Sequence, residues 1–154
     1  MPSDQPYEVR KEDFLKFAES FPFFNLMGIE ILDIQPGSSK TRIAWRDELR
    51  QPAGILHGGV IATLVDTGIA HALMLTDNFR EFMQTGGRLV SIDLRIRYFR
   101  PVSNSAIICD STIPRLGRQI IHGESIVTDE AGKEVARGES IYMAVSGQQI
   151  QPKA

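Results

Sequence analysis

Two features stand apart from the background of this chain: Asp66, and the run His57-Gly58-Gly59 that ends seven residues before it. Asp66 lies among Leu64, Val65, Ile69 and Ala70, in mid-segment, where a carboxylate caps nothing. Burying an ionised carboxylate without partners costs several kcal/mol, so its surroundings must supply donors, water or a raised pKa. Two readings follow. Either backbone groups or Thr63 and Thr67 satisfy it, or it is a general base or nucleophile held in a dry groove. The glycine run opens the same apolar segment. Two glycines in a first turn are poor helix formers, but they leave bare, approachable N–H groups at the positive end of the helix dipole. An oxyanion or a phosphate suits that end, and the structural alternative is close packing against a sheet. The glycine spacing and the absence of a Lys-Ser/Thr pair disfavour a phosphate-binding or dinucleotide loop.

The spacing between the two features carries an implication. From Gly58 to Asp66 is eight residues, about two turns and ~12 Å along a helix axis. From His57 to Asp66 is nine residues, about 900°, which places the two on opposite faces. Glycine N–H groups and the carboxylate of one chain therefore cannot share a substrate atom. If both act, the second comes from another copy, as a symmetric dimer would arrange. The remaining candidates are weaker. His71 and His122 read as hydrogen-bonded structural or surface residues, and Cys109 as a small buried apolar one. No His, Cys or carboxylate spacing fits a metal site, so none is expected. Arg95, Arg97 and Arg100, with Arg115 and Arg118, are either a basic patch for phosphates or a solvated strand face.

The elements that must position these residues follow from periodicity. Residues 11–20 repeat apolar side chains at helical spacing (Phe14 with Phe17, Leu15 with Ala18), and Pro22 closes the segment. Residues 28–34 and 38–45 read as two strands joined by a type II turn at Pro36-Gly37. The stretch after Gly59 is apolar or small on nearly all sides, the pattern of a helix wrapped by protein. Residues 77–87 read as a loop or a frayed short helix. From 89 to 100, Val90, Ile92, Leu94, Ile96 and Tyr98 alternate with polar residues, a long half-buried strand. Runs 105–113, 119–128 and 134–145, separated by hairpin turns, would join it in an antiparallel meander of the last four strands. Residues 1–10 and 147–154 read as polar tails around one domain, 11–146.

Composition sets the outer limits. At 154 residues and 42% hydrophobic, the chain has one domain's worth of core. Seventeen basic against nineteen acidic residues leave a net charge of −2, and no apolar run approaches the ~20 residues of a membrane span. Neither nucleic acid nor membrane is an expected partner. One cysteine and a polar start without an apolar h-region point to a reducing cytoplasm.

Taken together, Gln51-Pro52-Ala53-Gly54-Ile55-Leu56-His57-Gly58-Gly59, Leu64-Val65-Asp66, Val90-Ser91-Ile92-Asp93-Leu94, Tyr98-Phe99-Arg100-Pro101-Val102 and Leu116-Gly117-Arg118 resemble hotdog-fold acyl-CoA thioesterases of the phenylacetate-degradation, PaaI-like type. The resemblance covers about residues 28–145. It implies an α+β fold in which a curved antiparallel sheet of five to six strands wraps a long central helix. It also implies hydrolysis of an acyl- or aryl-CoA to free acid and CoA, with no cofactor beyond the CoA of the substrate, in a homodimer or a dimer of dimers (a homotetramer). By this resemblance the Gly58 N–H polarises the thioester carbonyl, and Asp66 of the partner subunit activates water or attacks directly. Gln51 stands where relatives often have Asn and orients the water, Ser91 assists the acid or the water, and His57 shapes the glycine turn. Gly59, Arg100, Arg115, Arg118 and Phe82 are the candidate substrate contacts. The rivals are a hotdog hydratase or dehydratase of enoyl or 3-hydroxyacyl thioesters, and a non-catalytic acyl-CoA-binding regulator.

Overall fold

The computed structural model describes residues 7–146, with side chains from residue 10 onward. The chain enters through helix α1 (Tyr7–Ser20), so residues 7–10 are helical rather than a loose tail, and Arg10 Nη1 lies 3.5 Å from Asp77 Oδ1. Phe14 and Ala18, one helical turn apart, bury against Ile34 and Leu75 in a small satellite cluster. Pro22 ends one helix by starting another. It sits at the first position of α2 (Pro22–Met27), where its missing N–H costs nothing, and Gly28 closes that helix at φ +68°.

Strands β1 (Ile29–Gln35) and β2 (Ser38–Ile43) form the expected hairpin. Gly37 takes φ +86°, as the third position of a type II turn demands, and its N–H is fastened to Ala72 O at 2.8 Å. That bond ties the turn to α3 (Gly58–Met74), the long helix at the centre of the fold. Its Leu64, Val65, Ile69 and Leu73 are fully enclosed, so the all-round apolar sequence is explained by protein on all sides. The helix packs tightly on the sheet at Gly123 and Gly138, where a methyl group would overlap Ile69 and Val65 respectively. Larger residues there would push the helix off.

After α3, Thr76 caps α4 (Asp77–Gln84), an ordered helix where a loop or frayed helix was expected. Four strands follow: β3 (Arg88–Tyr98), β4 (Ile107–Leu116), β5 (Ile120–Asp129) and β6 (Glu134–Val145). All pairings are antiparallel, in the order β1-β2-β4-β5-β6-β3. The meander is therefore β4-β5-β6 alone. The connection from Tyr98 to Ile107 crosses back, with Val102 O accepting from Leu56 N at 2.9 Å, so β4 docks beside β2 while β3 pairs with β6 and stays at the edge. Local turn chemistry dictates hairpins but not such a crossover. A bulge between Ser91 and Asp93 also breaks the alternation expected of β3. Ile92 and Tyr98 are 51% and 53% exposed, and the strand is less buried than its pattern implied. This six-stranded sheet curled around one helix is the α+β arrangement that the resemblance implies. Residues 1–6 and 147–154 of the expected tails lie outside the described residues.

Candidate active site

Asp66 stands near the middle of α3, where the helix crosses β6 and β3. It is half-buried rather than sealed in a dry core, and Thr63 and Thr67 are not its partners. Its partner is Tyr142 on β6, whose hydroxyl lies 2.7 Å from Asp66 Oδ1 and 2.8 Å from Asp66 O. One phenolic proton serves both acceptors. Burial, then the charge of Asp66 and the hydrogen bond to it, push the Tyr142 phenol well above its ordinary pKa, so it stays a donor. Ser140 lies next along the strand face. Its hydroxyl donates to Asp93 O at 2.9 Å and is 3.5 Å from Asp66 Oδ1. Ser91 is 3.2 Å from Ser140 Oγ, so within one chain it reaches the acid only through Ser140. Oδ2 of Asp66 has no hydrogen-bond partner among the described residues, which leaves one oxygen pinned and one available.

At the other end of the segment, His57 precedes α3 as its N-cap rather than sitting on a helical face. Its Nδ1 accepts the Gly59 N–H at 2.8 Å, which leaves the ring proton of the neutral imidazole on Nε2. The Gly59 N–H, expected to be bare, is thereby consumed. The Gly58 N–H has no acceptor among the described residues and sits at the first position of the helix, where the dipole adds to its pull on an anion. The Tyr98 hydroxyl donates to Gly58 O at 2.9 Å, and its ring lies so close that a Cβ at residue 58 would sit 3.2 Å from it. Burial raises the Tyr98 pKa as well. A groove of about 400 Å³ opens here, lined by Gln51, Ile55, Gly58, Ile61, Tyr98 and Arg100.

The structure thus gathers Gln51, Gly58 and Arg100 at one groove and places Asp66, with Ser91 behind Ser140, two turns along α3. The other binding candidates part company. Phe82 and Arg118 line a separate cavity of about 590 Å³ between α4, the start of β3 and the β4-β5 turn, together with Phe79, Leu89 and Ile121. Arg115 is exposed on β4 opposite His122. Nor do the arginines form one patch: Arg95 pairs with Asp93 at 3.0 Å and Arg97 with Glu139 at 3.9 Å, a compensated strand face. Tyr142, Ser140 and Tyr98 escaped the sequence reading. Tyr142 and Ser140 sit in a strand where only the packing of α3 on β6 brings them to Asp66, and Tyr98 reads as one more apolar residue of its strand.

His71 departs from expectation too. It is 1% exposed, packed edge-on against Phe14 and Phe24, and neither ring nitrogen has a hydrogen-bond partner among the described residues. Burial pushes its pKa down to about 4. Cys109 is enclosed as expected, and burial raises its thiol pKa.

Comparison with known proteins places this geometry in context. Residues 53–136 match the family model for the thioesterase superfamily. Human acyl-coenzyme A thioesterase 13 is 29% identical over 112 residues, 71% of this chain and 75% of that protein. The proofreading thioesterase EntH of Klebsiella pneumoniae is 29% identical over 108 residues, covering 70% and 74%. The PaaI protein from the phenylacetic acid degradation operon of E. coli shares the fold, with a TM-score of 0.76 at 17% identity, covering 93% of this chain and 98% of that one.

Proposed function

The chain belongs to the thioesterase superfamily, and from that premise we propose that it hydrolyses the thioester of an acyl- or aryl-CoA to the free acid and CoA, at a site completed by a second copy of the chain. The observation that carries this reading is the disposition of Asp66. One carboxylate oxygen is held by Tyr142 and the other is unpartnered among the described residues, on the helix whose Gly58 N–H is also unpaired but two turns away. The exposed edge strand β3, with Ile92, Leu94 and Tyr98 half-exposed along it, offers the surface through which a partner would bring its own α3 alongside.

In this mechanism the thioester carbonyl oxygen accepts from Gly58 N–H of one subunit. Asp66 of the other takes a proton from water as the water attacks the carbonyl carbon. The negative charge that forms on oxygen meets the helix N-terminus, and collapse of the tetrahedral intermediate breaks the C–S bond, expelling CoA as a thiolate that then gains the proton. Direct attack by Asp66 would instead form a mixed anhydride, which water cleaves. Gln51 orients the water, Ser91 supports the acid through Ser140, and His57 holds the glycine turn by capping Gly59. Gly59 thus contributes shape rather than a donor. Arg100 is placed to meet the CoA moiety at the groove, and Phe82 and Arg118 line the cavity beyond. One well-aimed donor contributes about 100- to 1,000-fold in rate and a positioned carboxylate base roughly 100- to 10,000-fold. No cofactor enters the scheme. A single enclosed cysteine fits a reducing cytoplasm.

The test is free-thiol release from a panel of alkyl- and aryl-CoA esters by the unaltered protein and by Asp66→Ala. The expected result is turnover of at least one ester, reduced at least about 100-fold in the variant. Equal rates would remove Asp66 from the mechanism.

A further inference from the structure

A third cavity lies away from the Gly58 groove, between α1 and α4. It measures about 420 Å³, and Phe14, Phe17, Met74, Phe79 and Met83 line its walls. Two cations, Arg10 and Arg80, line it as well. Their side chains are only 12% and 23% exposed, and the Nε atom of each is buried without a hydrogen-bond acceptor among the described residues. Buried guanidinium donors without acceptors are uncommon in folded proteins. Both guanidinium groups lean on one oxygen, Asp77 Oδ1, at 3.5 and 3.4 Å, and Asp77 is itself largely exposed. Two positive charges therefore share one carboxylate at long range, at the edge of an apolar chamber large enough for a small organic molecule.

We propose that this cavity binds a monocarboxylic acid with an apolar alkyl or aryl body, its carboxylate taken by Arg10 and Arg80 and its body by the phenylalanine and methionine walls. A planar carboxylate gives the two guanidinium groups that line the cavity an acceptor besides Asp77, and one negative charge neutralises the one left over by Asp77. A multiply charged phosphate would leave its remaining charge against apolar walls. The acid released in the proposed reaction belongs to the same chemical class, but binding here does not depend on hydrolysis. Phe79 lines both this cavity and the one that holds Phe82, so an occupant would bear on α4 and, through it, on that neighbouring cavity.

Isothermal titration of the full chain with decanoate and with 4-phenylbutyrate, against decan-1-ol as the uncharged control, reads the site without any turnover. The expected result is one carboxylate bound per chain, weakened at least about tenfold by Arg10→Gln and by Arg80→Gln, with decanol weaker by a similar factor. Asp77→Asn removes the competing carboxylate and should tighten binding, a gain that a misfolded variant cannot imitate. Asp66→Ala should bind as the unaltered protein does, which separates this site from the hydrolytic one. The proposal is overturned if decanoate does not bind, if decanol binds equally well, or if the arginine variants and Asp77→Asn leave the affinity unchanged.

Discussion

His71 makes the stability of this protein acid-sensitive in a way that can be calculated. Its ring is enclosed between Phe14 and Phe24, with centroids 5.3 and 5.1 Å away, and both nitrogens lack partners among the described residues. Burial lowers its pKa from the usual 6.5 to about 4. The folded state therefore resists a proton that the unfolded chain accepts. Stability is complete above about pH 6.5, falls as pH drops below that value, and stops falling below about pH 4. At about pH 5 the unfolded chain is roughly 1.5 pH units into that window, so at about 1.36 kcal/mol per unit the loss relative to pH 8 is about 2 kcal/mol. His71→Leu keeps a similar volume and removes the titration. Urea unfolding of both proteins at about pH 8 and pH 5, at one fixed chain concentration because the stability of the proposed dimer would depend on it, isolates the difference, since all carboxylates are common to both. The pH 8-to-5 loss should be about 2 kcal/mol smaller in His71→Leu. An identical loss in the two proteins would refute the assignment of a neutral, unpartnered imidazole to the folded state.

Other perturbations follow from the same geometry. Tyr142→Phe deletes the donor to Asp66 Oδ1 at 2.7 Å and should lower kcat about 10- to 100-fold while leaving KM within a few-fold, as steady-state thiol release would show. Gly58→Pro removes the N–H at a helix position that tolerates proline, after a residue already extended at ψ 132°, and should cost about 100- to 1,000-fold in kcat. Gly58→Ala keeps the N–H, crowds the Tyr98 ring equally, and should cost far less. Gly138→Ala drives a methyl group into Val65 and should destabilise the fold by about 1–3 kcal/mol in urea unfolding. Charging the edge strand with Leu94→Asp should shift sedimentation toward the monomer and abolish turnover together.

The central helix was legible because residues 59–74 are apolar or small on nearly all sides, the pattern of a helix wrapped by protein. The β1-β2 turn was legible because Pro36-Gly37 admits one turn type. The strand order was not, since the residues between Tyr98 and Ile107 say nothing of which edge β4 will find. The bulge at Ile92 is equally silent in an alternating pattern. At the site, the anomalous residues announced themselves by type: an acid in an apolar helix, glycines at its start. Their partners did not. Tyr142 and Ser140 are 76 and 74 residues from Asp66, and the packing of α3 on β6 makes them neighbours. Strand pairing likewise gave Arg97 its acidic companion, Glu139 on β6, whereas Arg95 pairs with Asp93 two residues before it on the same strand.

In the proposed site one chain supplies the Gly58 N–H and another supplies Asp66. Asp66→Ala and Gly58→Pro chains, each inactive alone, can be unfolded together, refolded at equal amounts and assayed for thiol release. Random pairing makes half of the dimers mixed, and each mixed dimer holds one intact site of two, so about a quarter of the unaltered activity should return. No recovery beyond the sum of the separate variants would contradict a shared site and place both groups within a single chain.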